Sequence, residues 1–465
     1  MIGSGAGGAP IATELALAGA SVVVLEAGGP APLAPLGERI ERSFWRVVSR
    51  RNAALSVARG LPVFPVIHGV CEGGSTALNA GSAFRLPEFL HREWMERGAP
   101  DLTDAFNRVD SFIKVSETAD ELLGRNGELM LKGLKATGWR GGRTPRNAPG
   151  CTGRAVCVLG CPEKAKQATH LSYLPVARSR GARVLLNTVA RKITLNGRRA
   201  TGVEARGPGG ESVTIRAGTT IAAGGAVFTP SLLARSGIEA PQLGENFLLH
   251  PGSVLAVHFD EPVEMGQPAV PQSTYSDQFL ESEGHMILLG SVPPHLTIPA
   301  LAVTGSPAAI MDHSRTGFWG ALIRDEGGRG AVRTGRDGRR RISYKIGGTE
   351  LARLRQSLVR LAEMAFAAGA QAVTPLYFGS GRRYRSLKAF NAGLPDPLPL
   401  RRLAGGSVHP MGTCGIGRTC EGDGRVRGYE NLHVSDASLF PTSIGVNPQF
   451  TIMALSTAIA AELLS

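Results

Sequence analysis

No apolar run in this sequence approaches the roughly 20 residues that a membrane-spanning helix needs, and no signal peptide stands ahead of its first glycines. Both absences make the cytoplasm the expected location. Cysteine is scarce, with six in 465 residues, so a disulfide framework does not hold this fold. Lysine is scarce among the cations, with eight of the 51 basic residues. The arginines that supply the rest are scattered, without interleaved aromatics along one element, so the net charge of +13 carries no nucleic-acid reading. Charged residues reach only 19% against 43% hydrophobic, which excludes disorder on a large scale. The length exceeds one ordinary core and predicts two domains, open to interleaving.

The front of the chain is short of something else. A β-strand should lead into a dinucleotide-binding glycine motif, yet only Met1 and Ile2 precede Gly3-x-Gly5-x-x-Gly8. The expectation is a truncated first strand and a start assigned too late. The motif has physical sense. Gly3 and Gly5 let the backbone turn tightly and approach a pyrophosphate, Gly8 lets a helix pack close on its strand, and the helix N-terminus faces the phosphate charge. The β-branched run Ser21 to Leu25 ends at Glu26, placed to bond a ribose 2'-hydroxyl, which favours FAD or NAD over a 2'-phosphorylated cofactor.

The segment Glu38 to Arg59 sets Arg39, Arg42, Arg46, Arg50 and Arg51 against Ile40, Phe44, Val47, Val48 and Leu55. It reads as a solvated helix face or as a peripheral contact with an anionic membrane. Next, His68 to Gly81 carries Gly73, Gly74, Ser75 and Asn79, a flexible backbone with small polar side chains suited to close approach of a flat ring or a phosphate. Asp101 to Lys114 and Gly127 to Thr137 have helical spacing. Cys151, Cys157 and Cys161 fall within eleven residues; they read as three buried or loop thiols, or as ligands of a three-iron cluster, although CxxC spacing is absent.

Arg183 to Val189, Ala200 to Arg206 and Ser212 to Ile215 read as strands. Thr219 to Pro230 reads as a buried strand running into glycines and then a helix beginning at Pro230. Arg336-Asp-Gly-Arg339 predicts a hairpin turn, and Thr349 to Ala368 a long amphipathic helix stopped by Gly369. Near the C-terminus, Ser407-Val-His409-Pro-Met-Gly-Thr413 puts an imidazole on a loop. Asp436 to Thr451 leads into a helix, with Asn447 expected at its cap and Pro448 at its first position. Such a helix start stabilises an anionic reduced flavin.

Taken together, these motifs resemble the glucose–methanol–choline (GMC) family of flavoprotein oxidoreductases. The resemblance rests on the opening glycines with Glu26, on GGSTALNAG from Gly73 to Gly81, on IAAGGAVFTPSLL from Ile221 to Leu233, on HPMGTC from His409 to Cys414, and on DASLFPTSIGVNP from Asp436 to Pro448. The motifs stand in family order from end to end. AKQAT after the cysteines and Tyr173-Leu-Pro175 resemble the bacterial branch that includes long-chain-alcohol oxidases. One departure is Gly415, where related sequences often carry Arg.

The resemblance implies an α/β protein: a Rossmann-like FAD-binding domain with its first strand truncated (1–85, 171–250 and 404–465), and an α+β substrate or lid domain on an antiparallel sheet (86–170 and 251–403). It implies oxidation of a small-molecule alcohol by hydride transfer to flavin N5, with His409 as base and Asn447 holding the substrate oxygen. Cofactor contacts carry over onto Gly3, Gly5, Gly8, Glu26, Gly73, Gly74, Ser75, Asn79, Val189, Gly224, Asp436, Ala437, Asn447 and Pro448. The electron acceptor stays open among oxygen, quinone and cytochrome. Two alternatives stand beside this: an iron–sulfur-bearing catalytic subunit of a membrane-linked alcohol or sugar dehydrogenase complex, and a hydroxynitrile-lyase-type enzyme whose flavin does no redox work.

Overall fold

The computed structural model describes the chain apart from residues 36–39, 61, 267, 291–297, 299–300 and 404–406. Glu38 and Arg39 of the expected amphipathic segment, and the 404 boundary of the expected last FAD-binding segment, lie outside the described residues.

Short apolar strands build a parallel sheet at the start of the chain. Val23–Leu25 pairs with Arg183–Leu185, and Thr220–Ala222 pairs with Leu432–Val434, all parallel. Ile2 joins the two halves. Its N–H donates to Ile221 O (2.9 Å) and its carbonyl accepts from Ala223 N (2.7 Å), while on the other side Gly3 N donates to Leu25 O (2.8 Å). Ile2 is thus paired on both sides. The strands are nearly all apolar, as buried parallel strands are. The helix Gly8–Leu17 and the C-terminal helix Gln449–Leu464 pack together; both are apolar on nearly every side, so both are buried rather than amphipathic.

A six-stranded antiparallel sheet forms the second layer system, in the order Ala372–Pro375, Gly252–His258, Thr316–Ile323, His285–Gly290, Thr274–Ser276, Gly142–Arg143. The long helix Gly348–Ala367 lies on it and buries Leu354, Leu358, Leu361 and Met364. Glu350 fixes that helix start, accepting from Gly347 N (3.0 Å) and Gly327 N (2.8 Å). Two large hydrophobic cores result. One surrounds the parallel sheet and includes Trp94, Phe106 and Phe450; the other underlies the antiparallel sheet around Trp319, Phe318 and Leu361.

The local expectations met different outcomes. The hairpin turn at Arg336–Arg339 forms between Arg329–Thr334 and Arg340–Lys345. The amphipathic segment is a helix only over Ile40–Ser49; Arg51 adopts φ 54°, and Ala53–Arg59 continues as a strand. The helix expected to begin at Pro230 begins five residues earlier, at Gly225. Pro230 is tolerated inside it because Ala226 O, which a proline cannot bond, accepts from Thr413 Oγ1 instead (2.7 Å).

Candidate active site

The opening glycines are needed by contact as well as by turn geometry. A Cβ on Gly3, whose φ is +107°, would stand 2.2 Å from Ala223 O, and one on Gly8 would stand 2.0 Å from Gly3 O. Gly5 differs: a Cβ there would have nothing nearer than 3.9 Å, from Gly73 O and Gly74 Cα. The two glycine loops therefore approach each other backbone to backbone, since a Cβ on Gly74 would stand 3.1 Å from Gly5 Cα, and they meet at a helix start that has neither a side-chain cap nor an acidic residue in its first turn. That is the electrostatic and steric form of a pyrophosphate site, and it fits FAD.

Ser4 ties these loops together. Its Oγ donates to Glu26 Oε2 (2.6 Å) and accepts from Gly73 N (3.0 Å). Glu26 also accepts from Gly28 N (2.9 Å), and burial pushes its carboxyl above the usual range. Val189 follows Thr188, whose N–H donates to Glu26 O (2.8 Å), so the Val189 strand begins beside the acid. Ser75 Oγ accepts from Gly69 N (3.0 Å). Asn79 donates from Nδ2 to Gln449 Oε1, which fastens the second glycine loop to the C-terminal helix. Asp436 accepts from Gly225 N (2.8 Å) and Thr229 Oγ1 (2.6 Å), Gly224 N donates to Thr229 Oγ1 (2.9 Å), and Ala437 O accepts from Gly412 N (3.0 Å). The bonds among the residues expected around the cofactor thus fall into separate groups: Glu26 with Ser4 and Gly73, Asn79 with Gln449, and Asp436 with Thr229, Gly224 and Gly225.

The helix cap is displaced by one position from expectation. Gln449–Leu464 has Pro448 as its N-cap, without a side-chain cap bond. The Asn447 side chain is left free of the helix end. Its Nδ2 lies 3.5 Å from Gln272 Oε1, and its Oδ1 is buried with no partner among the described residues.

His409 is reached through a residue that the sequence alone did not single out. Gly445 N donates to His250 Nε2 (3.0 Å), and His250 Nδ1 lies 3.0 Å from His409 Nδ1. Burial, and then the neighbouring His409, drive His250 well below the usual imidazole range, so it is neutral. Its one ring proton is then on Nδ1 and is donated to His409 Nδ1. Burial pushes His409 down to about 4, so it too is neutral, with its proton on Nε2. Ser407 Oγ accepts from both His409 N (3.3 Å) and His250 N (3.4 Å) and sets the two backbones. His250 and Gln272 are the residues missed. The available signal was a histidine closing the apolar run Phe247 to Leu249 just ahead of Pro251.

The cysteine segment has a cation in its midst. Arg146 places Nη1 3.8 Å from Cys151 Sγ and Nη2 3.4 Å from Cys157 Sγ. Among the described residues, no three His, Cys, Asp or Glu side chains converge as metal ligands would. Lys166, fully buried, donates to the carbonyls of Ala77, Asn79 and Cys157, so this segment braces the second glycine loop. At Gly415, a Cβ would stand 2.6 Å from Arg418 Nη2, so a neighbouring arginine fills that space.

A parallel sheet with a glycine cradle, a histidine loop and an amide oxygen without a partner is the arrangement to set against known proteins. Family models described as GMC oxidoreductase match residues 51–252 and 328–456. An uncharacterised GMC-type oxidoreductase of Mycobacterium tuberculosis is 37% identical over 99% of this chain and 74% of its own. One from Sinorhizobium fredii is 32% identical over 100% and 94%. A long-chain-alcohol oxidase of Arabidopsis thaliana is 26% identical over 100% and 66%. Among solved structures, pyridoxine 4-oxidase from Mesorbium loti superposes with a TM-score of 0.74 at 17% identity, covering 99% of this chain and 98% of its own. The chain belongs to the GMC oxidoreductase family, and its cofactor is FAD. Among the described residues, no helix is long and apolar enough to cross a membrane.

Proposed function

We propose that this enzyme oxidises a small-molecule alcohol, with His409 and Asn447 on either side of the alcohol oxygen. The observation that carries the reading is the chain Gly445 N–H to His250 to His409, together with an Asn447 Oδ1, two residues on from Gly445, that is buried and has no partner among the described residues. An orphaned buried acceptor costs about 1–3 kcal/mol unless something donates to it, and an alcohol O–H is such a donor. His409 Nε2–H donates to the same oxygen, so the hydroxyl is gripped through both its proton and its lone pair. FAD, held by the glycine loops, Glu26, Val189, Gly224, Asp436, Ala437, Asn447 and Pro448, supplies the hydride acceptor.

The role of His409 as general base requires its other tautomer. Its Nε2 accepts the alcohol proton once its ring proton sits on Nδ1, facing His250 Nδ1, and His250 is then protonated on Nε2. That state demands that Gly445 N–H leave His250. Gly445 and Asn447 share one short loop, so proton uptake and the grip on the oxygen are coupled through it.

The segments 1–85, 171–250 and 404–465 are assigned to holding FAD, and 86–170 with 251–403 to covering the substrate. Peripheral contact with a membrane belongs to the same reading, since Phe44 and Trp45 stand exposed on the helix Ile40–Ser49 among Arg42, Arg50 and Arg51. The test is an anaerobic screen of alcohols for bleaching of the flavin absorbance, with long-chain alcohols first because a relative carries that name. Re-oxidation by air, a quinone or a cytochrome then identifies the acceptor. Cleavage of cyanohydrins by a flavin that no alcohol bleaches would overturn the reading.

A further inference from the structure

We propose that the solvent face of the four-stranded sheet Phe64–Gly69, Ala53–Arg59, Arg340–Lys345, Arg329–Thr334 docks on an anionic phospholipid surface. Strand alternation fixes what that face carries. Leu55 pairs with Ile67 and Val57 with Pro65, giving an apolar half; Ser343 pairs with Arg59 and Arg333 with Arg341, giving a cationic half. The intervening residues Ala58, Val66, Ile342 and Val332 point inward and are buried. Leu55 is 65% exposed and Ile67 51%, and adjoining aliphatics on a protein surface are normally covered.

The cationic half opens into a cleft of about 540 Å³ lined by Arg59, Arg339 and Arg341, with the half-buried Arg340 stacked on Phe228 at its inner wall. Its one carboxylate, Asp337, lies 3.9 Å from Arg341, and Glu245 takes Arg333 at 2.7 Å. Arg59 and Arg339 pair with no carboxylate among the described residues. Aliphatic side chains flanked by unneutralised guanidinium groups match a lipid boundary, where tails accept the first and phosphates the second. A second copy of the chain is a poorer occupant. A two-fold interface sets a patch against itself, so the arginines would face either their own like charges or the apolar half, with Asp337 as the carboxylate in the cleft lining. Pro65, on the apolar half, accepts from Ser407 N (3.1 Å), two residues before His409, so the face adjoins the candidate site. The inference stands independently of what His409 does.

Co-sedimentation of the holoenzyme with vesicles tests it. Binding is expected to vesicles containing phosphatidylglycerol and not to phosphatidylcholine alone, with release at high salt. Arg59→Glu with Arg341→Glu should weaken partition about tenfold or more. Leu55→Ser with Ile67→Ser should weaken it as well, while the flavin spectrum and melting temperature stay as in the parent. Equal binding to phosphatidylcholine, binding unchanged in both double variants, or a solution dimer that Leu55→Ser with Ile67→Ser splits would each overturn the proposal.

Discussion

His250 Nδ1 lies 3.0 Å from His409 Nδ1, and the other His250 nitrogen is taken by Gly445 N–H, so one backbone amide dictates the tautomer of His409. The two histidines stand 159 residues apart in sequence. Each is neutral because burial penalises the imidazolium.

His250→Phe should lower the rate of flavin reduction at least about tenfold with FAD still bound, because it frees the His409 tautomer. His250→Asn keeps a donor near the Nδ1 site and should restore part of the rate. Stopped-flow reduction across pH separates positioning from simple packing: a purely structural role would leave the shape of the pH profile unchanged.

His409→Ala should reduce the same rate by about 10²–10⁴-fold without loss of flavin. Asn447→Leu, which removes the orphaned acceptor, is expected to raise KM and lower the rate together. Unchanged reduction kinetics in His409→Ala would refute the assignment of the pair.

Acid should destabilise the fold steeply below about pH 6.5. His68, His170, His258, His285 and His409 are all pushed from the usual 6.5 down to about 4, mainly by burial. Between those values the unfolded chain binds protons that the folded one does not, so stability is full above 6.5 and falls as pH drops toward 4. Asp325, raised to about 6 by burial, and Glu26 and Asp436, also raised by burial, work in the opposite sense, and the slope is expected to follow the more numerous histidines. Melting temperature measured from pH 8 to 4 checks the slope.

Gly8→Ala should cost about 3 kcal/mol, the upper end for an overpacked site, because its Cβ would sit 2.0 Å from Gly3 O. Flavin content and chemical denaturation report it together. Gly5→Ala is expected to fold, since nothing lies within 3.9 Å of its Cβ, yet to load FAD poorly.

What the sequence made legible was local. The glycine spacing, the hairpin at Arg336–Arg339 and the helix Gly348–Ala367 depend on neighbours within a few residues, and each forms as its pattern predicts. What it hid depends on distant partners. His250 has no meaning until Gly445 and His409 are brought to it. Asn447 has the residue type of a cap, yet its side chain turns to Gln272 instead. The two-residue first strand looked inadequate because its ladder partners, Leu25 and Ile221, are invisible in a linear pattern.

The proline at 230 opens one gap in a helix, and Thr413 closes it from the loop that also bears His409. The defect thus acts as a latch: the imidazole loop is held to this helix by a bond to the carbonyl that Pro230 leaves without its backbone donor. Thr413→Val should unhook it, costing about 1–3 kcal/mol in stability and loosening the histidine loop.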